Sequence, residues 1–168
     1  MTTIRPAREA DVPTILALHN HHILNSLAIW RHEPASLDER LGWFRERTQR
    51  GFPVLVAEVA SSEGAAQFAG FATYGPFRTG AGYDLTVENS IYVCDAFQHR
   101  GIASTLMEAL IAEARRDGRA VMVAAIGLPN EPSCALHARF GFREVGTLWG
   151  IGRKFGRSLD LLLMQKDL

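Results

Sequence analysis

The chain has few of the features that mark several large classes of proteins. Only Cys94 and Cys134 are cysteines, and they form no CxxC pair, so we expect two small buried thiols in a reducing cytosol. The 18 basic and 18 acidic residues cancel, which leaves no net charge to attract nucleic acid or an anionic membrane. The most apolar stretch, residues 120–128, is about half of the roughly 20 residues that cross a bilayer, and residues 1–12 lack the apolar run of a secretory signal. We therefore expect a cytoplasmic protein that binds neither nucleic acid nor membrane.

What remains is the composition of an ordinary globular protein. Of the 168 residues, 47% are hydrophobic and 21% are charged, and we find no internal repeat or linker, so residues 1–168 are expected to form a single domain. Hydrophobic periodicity and capping residues predict helices at residues 11–26, 37–50, 102–117 and 131–140. Strands are predicted at residues 4–6, 53–59, 68–74, 86–94, 121–126, 142–150 and 159–165, with a hairpin loop at 61–67. This order predicts an α/β (α+β) fold with one mixed sheet flanked by helices.

Two details of the first helices bear on function. His19, His21 and His22 cluster in one helical turn, but no nearby cysteine or carboxylate completes a set of metal ligands. We therefore expect no metal site there and interpret the three side chains as solvated or close to a substrate. The second helix is expected to bury Leu37, Leu41, Trp43 and Phe44.

A glycine-containing turn between a strand and a helix is the first functional signal. It reads Gln98-His99-Arg100-Gly101-Ile102-Ala103. The N–H groups at a helix start have no intrahelical partner and lie at the positive end of the helix dipole, so they bind anions such as a pyrophosphate. The sequence contains neither GxGxxG nor GxxxxGK[ST], which argues against NAD and nucleoside triphosphates. A purely structural turn remains an alternative at this point.

A second segment follows the next predicted strand. Asn130 opens the run Asn130-Glu131-Pro132-Ser133-Cys134-Ala135-Leu136-His137, and Phe140-Gly141-Phe142 closes it. With the glycine turn in this order and spacing, the chain resembles the GNAT acetyltransferases, whose acetyl-CoA motif has the form Q/R-x-x-G-x-G/A. The resemblance implies the GNAT-type acyl-CoA N-acyltransferase fold, with about six to seven strands and about four helices, and acetyl-CoA as cosubstrate without a metal. It assigns the pyrophosphate to His99, Arg100, Gly101, Ile102, Ala103 and Ser104, and the pantetheine arm to Ile91, Tyr92, Val93 and Asn130. Ser133 is a further predicted cofactor contact.

Further blocks narrow the resemblance to the phosphinothricin and methionine sulfoximine N-acetyltransferases. They are Gly75-Pro76-Phe77-Arg78, Gly82-Tyr83-Asp84-Leu85-Thr86-Val87-Glu88, Ile126-Gly127-Leu128-Pro129-Asn130 and Gly152-Arg153-Lys154-Phe155-Gly156. Leu85 and Ser158 depart from that pattern, because close relatives often carry an aromatic residue and a tryptophan there. The resemblance implies a glutamate-like amino acid as acceptor and a homodimer, for which the apolar strand at residues 159–164 would suit an interface.

Amine acetylation requires a base, because alkylamines hold their proton up to roughly pH 8 to 10. Strand alternation puts Glu88, Ser90 and Tyr92 on one face and Val87, Asn89, Ile91 and Val93 on the other. We predict that Glu88 is the general base, directly or through a water, since burial would raise the pKa of its carboxyl. An N–H in the region of Tyr92 and Val93 is the predicted oxyanion donor, as the resemblance suggests. His137 stands where many GNAT enzymes have a tyrosine, and it either acts as general acid or orders the Glu88 side of the site.

The acceptor site is predicted from residues around Glu88. Arg78 would grip a carboxylate or phosphinate, with Tyr83, Asn89 and Ser90 as further contacts. Arg153 and Lys154 would either meet an anion or solvate the last loop. Two alternatives stay open: a GNAT enzyme that acetylates a peptide, polyamine or other small amine, and an acetyl-CoA-binding module without turnover.

Overall fold

Seven strands form one mixed sheet in the computed structural model, which describes residues 2–61 and 64–168. The strands are β1 (Thr2–Pro6), β2 (Val54–Ala60), β3 (Ala66–Pro76), β4 (Thr86–Val93), β5 (Val121–Leu128), β6 (Arg143–Lys154) and β7 (Arg157–Asp167). Their spatial order is β1-β2-β3-β4-β5-β7-β6, and only the pair of β4 and β5 is parallel. The predicted mixed sheet is confirmed.

Four α-helices cover the two faces of the sheet: α1 (Val12–Asn25), α2 (Leu37–Gln49), α3 (Ile102–Arg116) and α4 (Glu131–Arg139). On one face α1 and α2 pack with β2, β3 and β4, around a buried cluster that includes Ile15, Phe44 and Phe71. On the other face α3 packs on β1 to β4 and α4 on β5, around a larger cluster that includes Leu106 and Met122. Side chains on the two faces of β4 therefore pack against different helices.

Local sequence explains where the helices begin. Ser36 caps α2 by accepting a hydrogen bond from the Glu39 N–H at 3.2 Å, while the Glu39 carboxylate pairs with Arg31 instead of completing a capping box. The buried side of α2 differs from the prediction, because Leu37 is exposed and the Arg40 side chain is buried. Leu37 shares a helix face with Leu41, which is half-buried, and with Phe44, which is buried, so the burial of this face begins after the first residue of the helix.

The last two strands lie in the sheet in the reverse of their order along the chain. β7 pairs with β5 over eight residue pairs and also with β6, so it lies inside the sheet between them. The segment at residues 159–164, expected to suit a dimer interface, is therefore covered by strands on both sides. Exposed apolar side chains lie instead on β6 and include Leu148, Trp149 and Ile151.

Two further expectations concern the hairpin between β2 and β3 and the absence of a membrane-spanning segment. The hairpin between β2 and β3 is present, and Ser61 donates its N–H to the Ala65 carbonyl at 2.8 Å, but residues 62 and 63 of the predicted loop lie outside the described part of the chain. Within residues 2–61 and 64–168, no helix is long and apolar enough to span a membrane.

Candidate active site

The two parallel strands separate after a short pairing, which opens a gap in the middle of the sheet. β4 and β5 pair only at Thr86 with Val121, Val87 with Met122 and Glu88 with Val123, yet β4 continues to Val93 and β5 to Leu128. Beyond Glu88 the residues of the two strands are therefore not paired with each other.

Backbone alternation determines which groups of β4 face this gap. The Cys94 N–H donates to the Ala69 carbonyl of β3 at 2.9 Å, so the backbone groups of Val93 and Ile91 point to the opposite side, into the gap. A strand edge of this kind can bind an extended chain of amides as an added strand. Of the three residues predicted to contact pantetheine, Ile91 and Val93 can do so through the backbone, whereas Tyr92 directs its backbone to β3.

The glycine turn leads from β4 to α3 and presents a helix start. His99 and Gly101 have positive φ angles of 59° and 80°, a conformation that glycine adopts without strain. The Thr105 N–H donates to the Gly101 carbonyl at 3.0 Å, so the N–H groups of Ile102, Ala103 and Ser104 come before the first intrahelical bond. Ile102 buries its side chain in the core and offers only its backbone. The turn has the form of an anion site.

Asn130 lies at the start of α4, as predicted, and has a local partner. Its side-chain oxygen accepts a hydrogen bond from the Ser133 N–H at 3.3 Å and caps the helix. An open depression of about 500 Å³ borders Asn130, Cys134 and Met164, and Glu88 lies outside it. The gap between β4 and β5, not this depression, reaches the predicted base.

Glu88 is half-buried at the last paired position of β4, with Gly75 of β3 as its other neighbour. Burial raises the pKa of its carboxyl above the ordinary value, and the guanidiniums of Arg47 and Arg78 oppose that rise. A carboxylate with a raised pKa beside an open gap has the properties of a general base. Its side chain lies on the α1/α2 face, together with those of Ser90 and Tyr92.

Aromatic and histidine rings surround Tyr92 on this face. The centroid of the Tyr92 ring lies 5.2 Å from that of Phe71, 5.3 Å from that of His22 and 6.2 Å from that of His19. Burial lowers the pKa of His19 to about 4 and also lowers that of His22, so both are neutral near pH 7. Among the described residues no three His, Cys, Asp or Glu side chains are grouped so that they could hold a metal ion.

The loop after β3 carries the predicted acceptor contacts Arg78 and Tyr83, and both are exposed. The Phe77 N–H donates to the Thr86 carbonyl at 3.3 Å, which fixes this loop beside the start of β4. The Arg78 guanidinium lies 5.0 Å from the centre of the Phe77 ring, and the Phe77 and Tyr83 ring centroids are 6.0 Å apart. These side chains stand near Glu88 at the rim of the site.

His137 and Asn89 form a buried pair on the opposite face of β4. The His137 Nδ1–H donates to the Ser133 carbonyl at 2.8 Å, and Nε2 therefore accepts from the Asn89 Nδ2 at 3.1 Å. Burial lowers the pKa of His137, which keeps the imidazole neutral. The Asn89 side chain points away from Glu88, so a contact between Asn89 and an acceptor bound there would have to come from its backbone.

Lys154 and Arg153, for which two roles were left open, separate in the structure. Arg153 is exposed on β6, whereas Lys154 is buried and donates to the Ile29 carbonyl. Burial lowers the pKa of Lys154. A solvated role for Lys154 is therefore wrong.

Two arginines that the sequence reasoning did not single out lie on the same face as Glu88. Arg40 is buried and Arg47 half-buried, and their guanidinium carbons lie 4.7 Å and 5.3 Å from the centre of the Trp43 ring. The spacing of 40, 43 and 47 places all three on one side of α2. That spacing was the available signal, but arginine is ordinarily interpreted as a surface residue.

Comparisons with known proteins agree with this arrangement. The family model described as the acetyltransferase (GNAT) family matches residues 16–142. The chain is 44% identical over 166 residues to an L-methionine sulfoximine/L-methionine sulfone acetyltransferase of Pseudomonas paraeruginosa, covering 99% of this chain and 94% of that protein. It is 40% identical over 164 residues to a phosphinothricin N-acetyltransferase of Streptomyces viridochromogenes, covering 98% and 86%. A GNAT superfamily phosphinothricin acetyltransferase from Sinorhizobium meliloti, solved in complex with acetyl-CoA, superposes with a TM-score of 0.93 at 33% identity, covering 99% and 88%.

Proposed function

This chain belongs to the acetyltransferase (GNAT) family, and from that premise we propose that it transfers the acetyl group of acetyl-CoA to the α-amine of a glutamate-like amino acid. Phosphinothricin and methionine sulfoximine are the acceptors that we expect, because relatives at 40% and 44% identity are named for them. The amine attacks the thioester directly, within a complex that contains both substrates.

The observation that carries this proposal is the position of Glu88. It is the last residue of β4 that pairs with β5, so its carboxylate lies at the closed end of the gap. The gap beyond it presents the backbone of Ile91 and Val93, and it leads to the helix start at Gly101. A base, a strand edge for amides and an anion site therefore follow one another along β4 and the turn after it.

Each residue has a defined task in the proposed reaction. Glu88 accepts a proton from the acceptor ammonium, directly or through a water, and so provides a neutral nitrogen. Acetyl-CoA supplies the acetyl group as a thioester: the neutral nitrogen bonds to the carbonyl carbon, the C–S bond breaks, and CoA leaves as the thiolate, which takes up a proton and is released as the thiol. The Val93 N–H, which points into the gap, donates a hydrogen bond to the acetyl oxygen as negative charge develops there. The N–H groups of Ile102, Ala103 and Ser104 bind the pyrophosphate.

His137 has geometry that favours positioning over proton transfer. Its Nδ1–H is engaged by Ser133, its Nε2 by Asn89, and burial keeps it neutral. A neutral imidazole whose only proton is held by a carbonyl has none to give to a leaving thiolate. We therefore propose that His137 fixes α4 to β4, while its predicted role as a general acid stays open to test.

The two alternatives have less support from the charges around Glu88. Arg40, Arg47 and Arg78 lie on its side of the sheet, and a polyamine or basic peptide would be repelled there. A binding module without turnover would not need a half-buried carboxylate at the closed end of the gap. The homodimer that the resemblance implies and the cytoplasmic location expected from the composition are also proposals.

Release of CoA thiol tests the proposal directly. The protein is incubated with acetyl-CoA and, in turn, phosphinothricin, methionine sulfoximine, lysine, a polyamine and a short peptide. We expect turnover with the first two acceptors, and strong turnover of the polyamine alone would contradict the proposed acceptor class.

The variant Glu88→Gln tests the base, with the exposed Glu46→Gln as its matched control. General base catalysis contributes about 100- to 10,000-fold, so turnover should fall by that factor while acetyl-CoA binding persists. Turnover that is equal in the two variants would exclude Glu88 as the base.

A further inference from the structure

We propose that Arg40 and Arg47, both stacked on the indole of Trp43, form the oxyanion subsite of the acceptor pocket. The inference rests on the proposed function and deepens it, because it identifies the side chains that select an acceptor carrying a carboxylate. The chemistry recognised is a carboxylate or phosphinate oxygen, which a guanidinium can bind with two parallel N–H groups.

Arg47 is held directly beside the base. Gly75 pairs with Glu88, and a Cβ added to Gly75 would lie 2.3 Å from the Arg47 Nη1, so the guanidinium rests on the backbone of β3 at that position. In an α-amino acid a single carbon separates the amine from the carboxylate. An acceptor with its amine at Glu88 therefore brings its α-carboxylate close to Arg47.

Neither guanidinium has a carboxylate partner within 2–61 and 64–168. The hydrogen bond that Arg47 makes to the Thr73 Oγ1 is long, at 3.4 Å, and the Nε of Arg40 is buried without any partner in the same ranges. Withdrawing a cation from water is costly unless it is paired. An acceptor with a carboxylate would supply the anion that these two guanidiniums lack.

Arg45 of α2 and Arg50, the residue after it, show what a structural role looks like in the same segment. Arg45 pairs with Glu9, and Arg50 pairs with Glu46, both on the exposed side. Arg40 and Arg47 instead face Glu88, Tyr92 and the neutral His19. The face that carries the base thus holds more cations than anions, as an anionic acceptor requires.

Equilibrium binding, measured by calorimetry in the presence of CoA, tests the subsite without turnover. The ligands are methionine sulfone, whose only anion is the α-carboxylate, its decarboxylated amine, and phosphinothricin, which carries a second anion. We expect Arg47→Gln to weaken binding of methionine sulfone by about 10- to 100-fold, the range for a charged hydrogen bond, and to leave the amine unchanged. Arg47→Lys should restore part of the loss, and Arg45→Gln is the matched control.

Arg40→Gln distinguishes the two anions of the acceptor. If it weakens phosphinothricin more than methionine sulfone, Arg40 binds the phosphinate; if it weakens both equally, Arg40 shares the carboxylate with Arg47. Either result supports the subsite. Equal affinities of Arg40→Gln, Arg47→Gln and the wild type for all three ligands would overturn it, as would failure of the wild type to bind methionine sulfone.

Gly75→Ala tests the subsite without replacing either arginine. Its methyl group would displace the flexible end of Arg47 from β3, so we expect weaker binding of methionine sulfone with little change in melting temperature. Undiminished binding would contradict the placement of the carboxylate. Arginine-dependent binding together with an absence of acetyl transfer would refute the proposed function and leave the subsite standing.

Discussion

The buried pair of His137 and Asn89 makes a prediction that separates a positioning role from a catalytic one. His137→Leu removes the bond to the Ser133 carbonyl and leaves the buried Asn89 amide with the Met107 sulfur, a weak acceptor at 3.7 Å, in place of the imidazole. A lost hydrogen bond contributes about 0.5–1.5 kcal/mol, and a buried polar group left unsatisfied costs about 1–3 kcal/mol. We expect the free energy of unfolding to fall by about 2–4 kcal/mol, the sum of the middle parts of these ranges.

Urea denaturation measures this loss, and steady-state kinetics measures turnover in the same preparation. At roughly 2–4 °C for each kcal/mol in a protein of this size, the melting temperature should fall by about 4–16 °C. Because the neutral imidazole donates no proton to the reaction, the basic limb of the pH profile of kcat should keep its position. In the double variant with Asn89→Leu, the loss should be smaller than the sum of the single losses, since both changes break the same bond.

One result would refute the reasoning. If His137→Leu lowered kcat by about 100-fold or more, the range of general acid catalysis, with an unchanged free energy of unfolding, His137 would be the acid that protonates the leaving thiolate. The structure would then have to admit a thiolate within hydrogen-bonding distance of Nε2, in the place that Asn89 occupies.

Three further predictions concern the cofactor turn, the rim of the site and acid stability. Gly101→Ala should lower stability by about 1–2 kcal/mol, because the φ of 80° disfavours a side chain, and should weaken acetyl-CoA binding, both measurable by melting and calorimetry. Arg78→Ala should raise the acceptor KM more than the acetyl-CoA KM but less than Arg47→Gln does, since Arg78 is exposed; equal effects on both substrates would remove it from the pocket. Burial lowers the pKa of His19, His22 and His137, so the unfolded chain binds more protons; stability is fully present above about pH 6.5 and should fall as the pH drops below it, as urea unfolding at several pH values will show.

The features of the fold that depend on local sequence were predictable. Periodicity and caps predicted four helices and seven strands, and the ends of α3 and β4 differ from prediction by a single residue. The insertion of β7 between β5 and β6 was not predictable, because strand order is decided by contacts between segments that are distant in sequence. The exposure of Leu37 has the same origin, since only packing against the sheet decides which turns of α2 are buried.

The residues of the candidate site also differ in whether local sequence could predict them. Gly101, Asn130 and Glu88 could be proposed from the sequence because each belongs to a short motif with its own backbone geometry. Arg40 and Arg47 belong to no such motif, and they approach Glu88 only because α2 packs across β3 and β4. Asn89 and Glu88 are adjacent in sequence, yet alternation along β4 directs their side chains to opposite faces, so the proposed acceptor site can include the side chain of only one.

In the proposed function, the charges around Glu88 let a chain with no net charge both attract the acceptor and activate its amine. Burial raises the pKa of Glu88, and only nearby charges modify that rise strongly, because distant surface charges are screened. Arg47 opposes that rise in the free protein. In the proposed complex the acceptor carboxylate neutralises Arg47 and weakens that effect, so the proton affinity of Glu88 rises when the amine is in place. An acceptor that lacks the carboxylate leaves Arg47 unpaired and Glu88 a weaker base, so the same pair of residues would select the substrate by rate as well as by affinity.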